Sequence, residues 1–558
     1  MATCTQCSAS FEITASDLAF YQTIAPSFAG KIFPILPPTR CPPCRLQRRM
    51  CFRNERSFHK RKSDLSGKDI VSTVAPDRPY KIYDQDEWLS DRWDALEYGR
   101  SFDFNRTFAE QFHELNIAVP HPSLNTTNVE NSTYTNYSLN VRNSYLVFGV
   151  TNAEDCLYGK FVSQVKDVVD CLSLYSCERC YEGVASQQCY QCMYFSYCQN
   201  CSDSAFIEDC VSCKNCLLCF GLRNKQYCVF NEQLDRAGYE RKCAELLTGL
   251  TVEGVTKAWG ALQKLSQTIP HCAAHIYASE DCTGDMISNS KSCKECFDIK
   301  NCEDCSYTAF TPNGVSSMDC CFTAPDGVQW CNEVISTLGQ RCIATYMCWR
   351  CSDTYYSIDC RDCHNLFGCV GLQHQQYCIF NRQYSKQEYE ELARKIAEHM
   401  QQAGEWGLFF PISLSQFAYN ESIAHEYFPL TRNKAIASGW SWRDSEDHVP
   451  SAEGMDASAL PRTIAETSDQ ILDATIRCEV TGRTYKIVKQ EMQFYRSMGL
   501  PLPHKHPDER HRDRLRRKNP YRLWQRSCAK CKKSIETNYE PSRSGIVYCE
   551  ECYLPTIY

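Results

Sequence analysis

No run of 18 apolar residues occurs anywhere in the 558-residue chain, so the sequence offers no membrane-spanning helix. The first nine residues are polar and already contain Cys4 and Cys7, where a secretory leader needs an apolar core. Without a secretory route the glycosylation sequons at Asn125, Asn131 and Asn136 carry no weight, and the expected location is cytoplasmic. Catalytic signatures are missing too: there is no Gly-rich phosphate loop, no His-Glu-x-x-His and no nucleophile elbow. A zinc deaminase needs Pro-Cys-x-x-Cys with an upstream His-x-Glu, but here the prolines lie between Cys41 and Cys44 and no such His-x-Glu precedes them. No βαβ setting surrounds any Cys-x-x-Cys pair, as thioredoxin-like redox chemistry would require. The chain is therefore expected not to be an enzyme.

What the chain has in abundance is cysteine, 40 residues of it. In a reducing compartment that points to metal ligands and buried thiols rather than to disulfides. Charge is unevenly placed. Residues 40–62 carry a local net of +8 and residues 505–533 one of +9, so the rest must hold −24 for the whole to be −7. Both ends are basic and the middle is acidic.

Two internal duplications organise the chain. Residues 41–88 align without gaps to 506–553, placing Arg45 on Arg510, Arg49 on Arg514, Arg53 on Lys518 and Tyr83 on Tyr548. Residues 4–21 also match 478–495. Each end is thus a tandem module with room for two metal knuckles, whose ligands have parted between the copies. The first module keeps Cys4, Cys7, Cys41 and Cys44, while its second site reads Ser63, Ser66, Asp84 and Glu87. The other module keeps Cys528, Cys531, Cys549 and Cys552, and its first site reads Cys478, Thr481, His506 and Glu509. The second duplication relates Cys192 through Cys228 to Cys342 through Cys378 at an offset of 150, ending in QYCVFN at Asn231 and QYCIFN at Asn381. Each copy then enters a helix, capped by Asp235 in the first and by a Ser385/Glu388 box in the second.

Paired thiolates two residues apart grip one face of a zinc ion, and a second pair completes the tetrahedron. Four protein ligands leave no position for water, so two structural ions are expected, one per tetrad. The run CTQC, then FEITASDLAFYQ, then RCPPCRLQRR resembles the small bacterial treble-clef or zinc-ribbon family with its C-x2-C, FY and RC-x2-CR pattern, and 478–515 resembles a degenerate copy of it. More loosely, the whole chain is similar to large uncharacterised cysteine-rich bacterial zinc-ribbon proteins. The resemblance implies a zinc-bound treble clef whose second ligand pair opens a helix; it implies no substrate.

That helix follows from the residues as well, since Pro42 and Pro43 sit where a missing N–H costs little. Arg45, Arg49 and Arg53 then recur every four residues, and Arg510, Arg514 and Lys518 repeat the stripe. Guanidinium forks bind phosphate oxygens, so the stripe suggests nucleic-acid binding, RNA or DNA. The other readings are a solvated face, or arginines paired with the acidic middle of the same chain.

Within the middle, cysteines recur every nine residues, from Cys192 to Cys228 and from Cys342 to Cys378. Nine suggests a parallel β-roll in which two units make a coil of about eighteen residues. Asp or Asn precedes many of these cysteines (Asp155, Asp170, Asn200, Asp209, Asn301, Asp304, Asp359, Asp362), as a corner turn would favour. In such a coil Cys198, Cys201, Cys216 and Cys219 could close an extra metal site; interior packing and disulfides are the other readings for the central thiols.

The expected fold class is multidomain and mainly β, with terminal treble-clef or zinc-ribbon modules flanking a duplicated cysteine-rich β-roll or β-helix-like solenoid with short helices. The domain order is a tandem module over 1–90, a connector over 91–140 and a first solenoid copy with its helix over 141–250. A helical connector over 251–290, the second copy over 291–400, a connector over 401–435, a flexible linker over 436–470 and the second tandem module over 471–558 complete it. The expected function is a zinc-binding scaffold that binds nucleic acid through its basic modules. The alternatives are a protein-interaction scaffold with a partner on the solenoid, and metal storage or thiol buffering.

Overall fold

The computed structural model describes residues 1–322, 328–332, 334–337, 340–343, 345–444 and 453–557, with side chains left undescribed over 323–342 and at 344. The chain forms two compact units, each assembled from two separated stretches. The first comprises Met1–Asn125 and Ile276–Arg443; the second comprises Thr126–His275 and Asp444–Tyr558. Each unit therefore joins one terminal module to the cysteine repeat lying farther from it in sequence. The fold is mainly β, with a large parallel sheet and twelve short helices among the described residues.

The sheet of the second unit has eleven strands in sequential order. Its parallel pairs keep one register: Leu139 opposite Thr151, Cys156 opposite Val168, Phe195 opposite Ile207 and Cys216 opposite Cys228. Residue i thus stands beside residue i+12, where the sequence suggested eighteen. A finer period of three runs beneath that. The residues that enclose the core of this ladder, among them Val141, Val147, Val150, Cys156, Val162, Val165, Val168, Cys171, Leu174, Cys177 and Cys180, are separated throughout by multiples of three. Before each of them the backbone turns left-handed, as at Asp155 (φ 53°), Asp170 (φ 56°) and Arg179 (φ 54°). Every twelve-residue step therefore contains four three-residue segments. The nine-residue cysteine spacing is one step less one segment: the Cys180 thiol lies 3.6 Å from the carbonyl of Cys189, nine residues on, and 3.3 Å from that of Glu178.

Local chemistry accounts for this conformation. Asn and Asp visit the left-handed region most readily after Gly, because the short side chain bonds to its own backbone. All eleven of the Asp and Asn residues that directly precede cysteines in the sequence stand there, with φ between 51° and 58°. A three-residue segment encloses a narrow interior, which Cys, Val, Ser and Ala fill. Larger residues need compensation. Phe195 occupies an interior position opposite Gly183, where a Cβ would lie 2.5 Å from the Phe195 ring. Buried thiols satisfy themselves on neighbouring carbonyls, and burial pushes the pKa of the Cys156 and Cys171 thiols up, so both stay protonated.

Outside, the ladder of the second unit is polar and charge-balanced. Asn128 donates to Asn140 (2.7 Å) and Asn140 to Asn152 (2.8 Å), while Glu154 lies between Arg142 and Lys166. The first unit repeats the plan with an interior of Ile287, Cys293, Cys296, Ile299, Cys302 and Cys305. Its register departs from twelve in places, with steps of eleven between Ile276 and Ile287 and fourteen between Gly314 and Val328. Both ladders end in an antiparallel hairpin. There the Asn231 side chain pairs with both backbone groups of Phe220, and Asn381 does the same at Val370. The Asp235 cap and the Ser385/Glu388 capping box then open the following helices.

One expected linker is otherwise. Of residues 436–470, 445–452 lie outside the described residues, and the part that follows is packed: Ala457 and Leu460 share a buried cluster with Met492 and Tyr495. Ala457 and Leu460, with Met455 and Ile464 beside them, bury it against the second module.

Replacing Gly183 by Ala should destabilise the second unit by about 1–3 kcal/mol through overpacking against Phe195. The added change Phe195→Val should recover part of that loss in urea unfolding. A Gly183→Ala variant of unchanged midpoint would contradict the close approach.

Candidate metal centres

Four backbone knuckles share one geometry. In each, the first residue's N–H donates to the carbonyl five residues on, and its carbonyl accepts from the N–H four residues on. The pairs are Cys4 with Ala9 and Ser8, Ser63 with Lys68 and Gly67, Cys478 with Arg483 and Gly482, and Cys528 with Lys533 and Lys532, all at 2.8–3.0 Å. The fourth-on residue is left-handed every time, with φ between 61° and 76°. The knuckle fold has thus outlived its ligands at two of the four places.

Where the ligands remain they converge. The sulfurs of Cys4, Cys7, Cys41 and Cys44 lie within 4.8 Å of one another, and so do those of Cys528, Cys531, Cys549 and Cys552. A tetrahedral zinc with sulfurs at about 2.3 Å separates them by about 3.8 Å. Cys7 and Cys41 are 3.6 Å apart, and Cys531 and Cys549 3.7 Å. In each tetrad the second pair stands at the start of a helix: Cys41 is the N-cap of Pro42–Met50, and Cys549 directly precedes Glu550–Ile557. A hydrogen bond from the Cys44 thiol, outweighing desolvation, holds Cys41 down to about 5. Both donor sets fit one soft divalent ion each.

The decayed sites replace the ion with hydrogen bonds. Ser63 on its knuckle donates to Glu87 on the Gln85–Trp88 helix, and Lys68 pairs with Asp84 at 3.4 Å. The Ser63 and Ser66 hydroxyls hold the Glu87 carboxyl down to about 2. In the other module Arg483 on its knuckle pairs with Asp508 at 2.9 Å, and His506 accepts the Asp508 N–H at 3.1 Å. Neither set forms a metal-ligand cluster among the described residues, and neither do Cys198, Cys201, Cys216 and Cys219. With a twelve-residue step those four thiols fall on four different segments: Cys216 stands beside Cys228 and Cys219 beside Ile207. The eighteen-residue coil that would have brought them together is absent from the described residues.

The arginine stripe faces inward. Arg45, Arg49, Arg510 and Arg514 are all buried, with Arg49 and Arg514 at 0% exposure. Arg45 Nε and Arg49 Nη1 reach the same oxygen of Asp319, at 2.9 and 3.0 Å. Arg510 pairs with Asp170 and, at 3.2 Å, with Glu491; Arg514 pairs with Asp170 at 2.8 Å and Glu182 at 2.7 Å. Arg53 pairs with Glu55 at 2.6 Å, and Lys518 donates to Ser173 at 2.8 Å. Burial raises the Asp319 carboxyl, but the two guanidinium groups outweigh it and hold the acid below the ordinary carboxylate range. Four of the six stripe residues are therefore spent on acidic ladder residues of their own unit, and Arg53 and Lys518 are buried on Glu55 and Ser173, which removes the stripe as a phosphate-binding face.

The duplication extends to the partners. Asp170 and Asp319 each precede a cysteine, and Tyr158 and Tyr307 stand one twelve-residue step before them. Arg510 lies 4.5 Å over the Tyr158 ring and Arg45 4.9 Å over that of Tyr307. The tyrosine hydroxyls donate to Glu491 (2.8 Å) and Asp17 (3.1 Å), which align in the two modules. Of these six residues only Asp170 emerged from the sequence, and then as a corner turn rather than as a partner of the arginines. The signal was the Tyr–x11–Asp–Cys pattern shared by the two repeats, which becomes legible only once the period is known to be twelve.

No family model matches the chain, and no curated protein is similar to it.

Replacing Asp319 by Ala should cost about 3–5 kcal/mol, because it strands two buried charges, whereas Asp319→Leu with Arg45→Leu and Arg49→Met should recover most of that in urea unfolding. A cost below about 1 kcal/mol, typical of a surface pair, would place the stripe in solvent.

Glu87 gives a pH prediction. Its folded pKa lies below the usual value of about 4.3, so its contribution is complete above that value and lost as pH falls toward 2. The stability difference between the native chain and Glu87→Gln should be constant from pH 7 to about 5 and shrink below about 4. A difference independent of pH would contradict the ionised hydrogen bond.

Proposed function

We propose that the chain is a zinc-stabilised, non-catalytic scaffold, made of two treble-clef modules each clasped to a β-solenoid of twelve-residue coils, and that its exposed solenoid surface serves a protein partner. The observation that carries the structural part is the pair of four-cysteine clusters, with sulfur separations suited to tetrahedral zinc. All four ligands would come from the protein, leaving no coordination position for a substrate or for an activated water, which supports a structural ion over a catalytic one. Buried, hydrogen-bonded thiols in the ladder interior support packing over metal storage. They also suit a reducing compartment. No helix among the described residues is long and apolar enough to cross a membrane.

Nucleic-acid binding was the leading expectation from the sequence, and burial of the stripe removes the residues that carried it. The protein-partner reading takes its place because each ladder keeps an outer face bearing ion pairs between neighbouring steps, with Arg350 bonded to Asp362 at 2.6 and 2.7 Å in the first unit as Arg142 is to Glu154 in the second.

Native mass spectrometry should find two zinc ions per chain, and one after Cys41→Ser or Cys549→Ser. Zinc beyond two would favour storage, and none would sink the structural reading. Single-stranded RNA or duplex DNA added across a salt series should show no steep, stripe-dependent affinity. An affinity abolished by Arg49→Ala and Arg514→Ala, with the fold intact by circular dichroism, would restore the nucleic-acid reading.

A further inference from the structure

We propose that the two module-to-ladder clasps are controlled differently: the clasp of Arg45 and Arg49 on Asp319 is gated by the metal of Cys4, Cys7, Cys41 and Cys44, while the equivalent clasp of Arg510 and Arg514 on Asp170 holds without a metal. This rests on the structural-zinc reading given above.

The difference lies in how each clasp helix is fastened. Pro42–Met50 begins at Cys41, which makes no side-chain cap hydrogen bond, and its first two residues are prolines without N–H groups. Cys44, in its first turn, precedes Arg45 directly. The helix start is thus tied to its knuckle by the four thiolates, a backbone bond from Thr5 to Thr39 at 3.0 Å and an exposed bond from Gln6 to Gln47 at 2.8 Å. An exposed side-chain hydrogen bond adds about 1 kcal/mol at most. Without the ion only those two bonds tie the knuckle to the helix start, and the arginines behind the thiols lose their fixed position.

Pro507–Arg517 begins at His506 and needs no ion. Its cap is made by His506, which accepts the Asp508 N–H, and Arg483 on the knuckle reaches Asp508 at 2.9 Å. A further tie runs from Lys505 to Asp513 at 2.9 Å. Here an ion pair joins the knuckle to the helix where the other module uses a metal. The same trade occurs in reverse at the second knuckles, where Ser63 and Glu87 stand in for the metal in one module and Cys528, Cys531, Cys549 and Cys552 keep it in the other. The helix after Cys549 carries Tyr553, whose hydroxyl donates to Asp209 of the ladder at 2.7 Å, so that metal governs a different contact from the arginine clasp.

In the first unit the Trp88 carbonyl, on the hydrogen-bonded helix Gln85–Trp88, accepts from Gln373 of the ladder at 3.2 Å, so each unit has one ladder contact beside a metal-held helix and another beside a hydrogen-bonded one. Loss of zinc would free the Pro42–Met50 helix, expose Asp319 and its arginines, and leave the Pro507–Arg517 helix seated.

The test is hydrogen exchange of the full chain, read by mass spectrometry before and after removal of zinc with a strong chelator, with the metal count followed on the same samples. Exchange over 42–50 should quicken by about tenfold or more, while that over 507–517 changes by less than about twofold, and added zinc should restore both. Cys41→Ser should reproduce the effect at 42–50 alone, without chelator. A starting protein that holds no zinc would overturn the structural-zinc reading itself. Zinc that leaves while 42–50 keeps its protection would overturn the gating and spare that reading. Opening of 507–517 together with 42–50 would overturn the asymmetry.

Discussion

A single buried carboxylate holding two guanidinium groups decides how this chain is put together. Asp319 and Asp170 each lie at the turn of a ladder, fully buried, and each collects two arginines from a module hundreds of residues away in sequence. Isolated, any of those charges would be costly to bury; together, with a tyrosine ring beneath one arginine, they are tolerated and specific. That clasp fastens each module to the ladder of its unit, and it is built alike in both. It explains why the stripe persists in both copies while metal ligands were lost from both. A ligand set can be exchanged for a hydrogen bond without moving the backbone, as Ser63 with Glu87 and Arg483 with Asp508 demonstrate. An arginine facing a buried aspartate can be exchanged only together with its partners, since any one change strands a buried charge.

The cysteine content has two unrelated causes. Eight thiols converge on two points and suit an ion. Most of the others fill an interior only three residues wide on each side, where a small, weakly polar side chain fits between stacked backbones and finds a carbonyl at 3.3–3.6 Å. Free thiols pack there like short hydrophobes, and Gly183 yields space to Phe195 at the one place in that stretch where a ring intrudes.

Much of this was legible in the sequence. The two tetrads, the duplicated modules, the Asp235 and Ser385 caps and the turn-forming role of Asp and Asn before cysteine were all readable, because each rests on short-range chemistry. The coil length was not. Nine is the cysteine spacing that runs on through each repeat, but it records a contact between neighbouring steps displaced by one segment, so doubling it gave eighteen where the register is twelve. That error carried forward: it stacked Cys198 and Cys201 under Cys216 and Cys219, and it hid the twelve-residue interval between Tyr158 and Asp170 that marks the docking site. The arginine stripe was correctly placed on its helix at Arg45, Arg49, Arg510 and Arg514, but Arg53 and Lys518 stand beyond the helix ends, and the whole was wrongly turned outward. A periodic face states which residues lie together and is silent on what covers them, and the acidic partner lay 274 residues away.

The central claim is the pairing itself, and a pair of double-mutant cycles tests it most directly. Coupling free energies from urea unfolding should be large, about 2–3 kcal/mol, for Arg49 with Asp319 and for Arg514 with Asp170, and near zero for the crossed pairs Arg49 with Asp170 and Arg514 with Asp319. Strong coupling in the crossed pairs, or none in any of the four, would contradict the assembly described for both units.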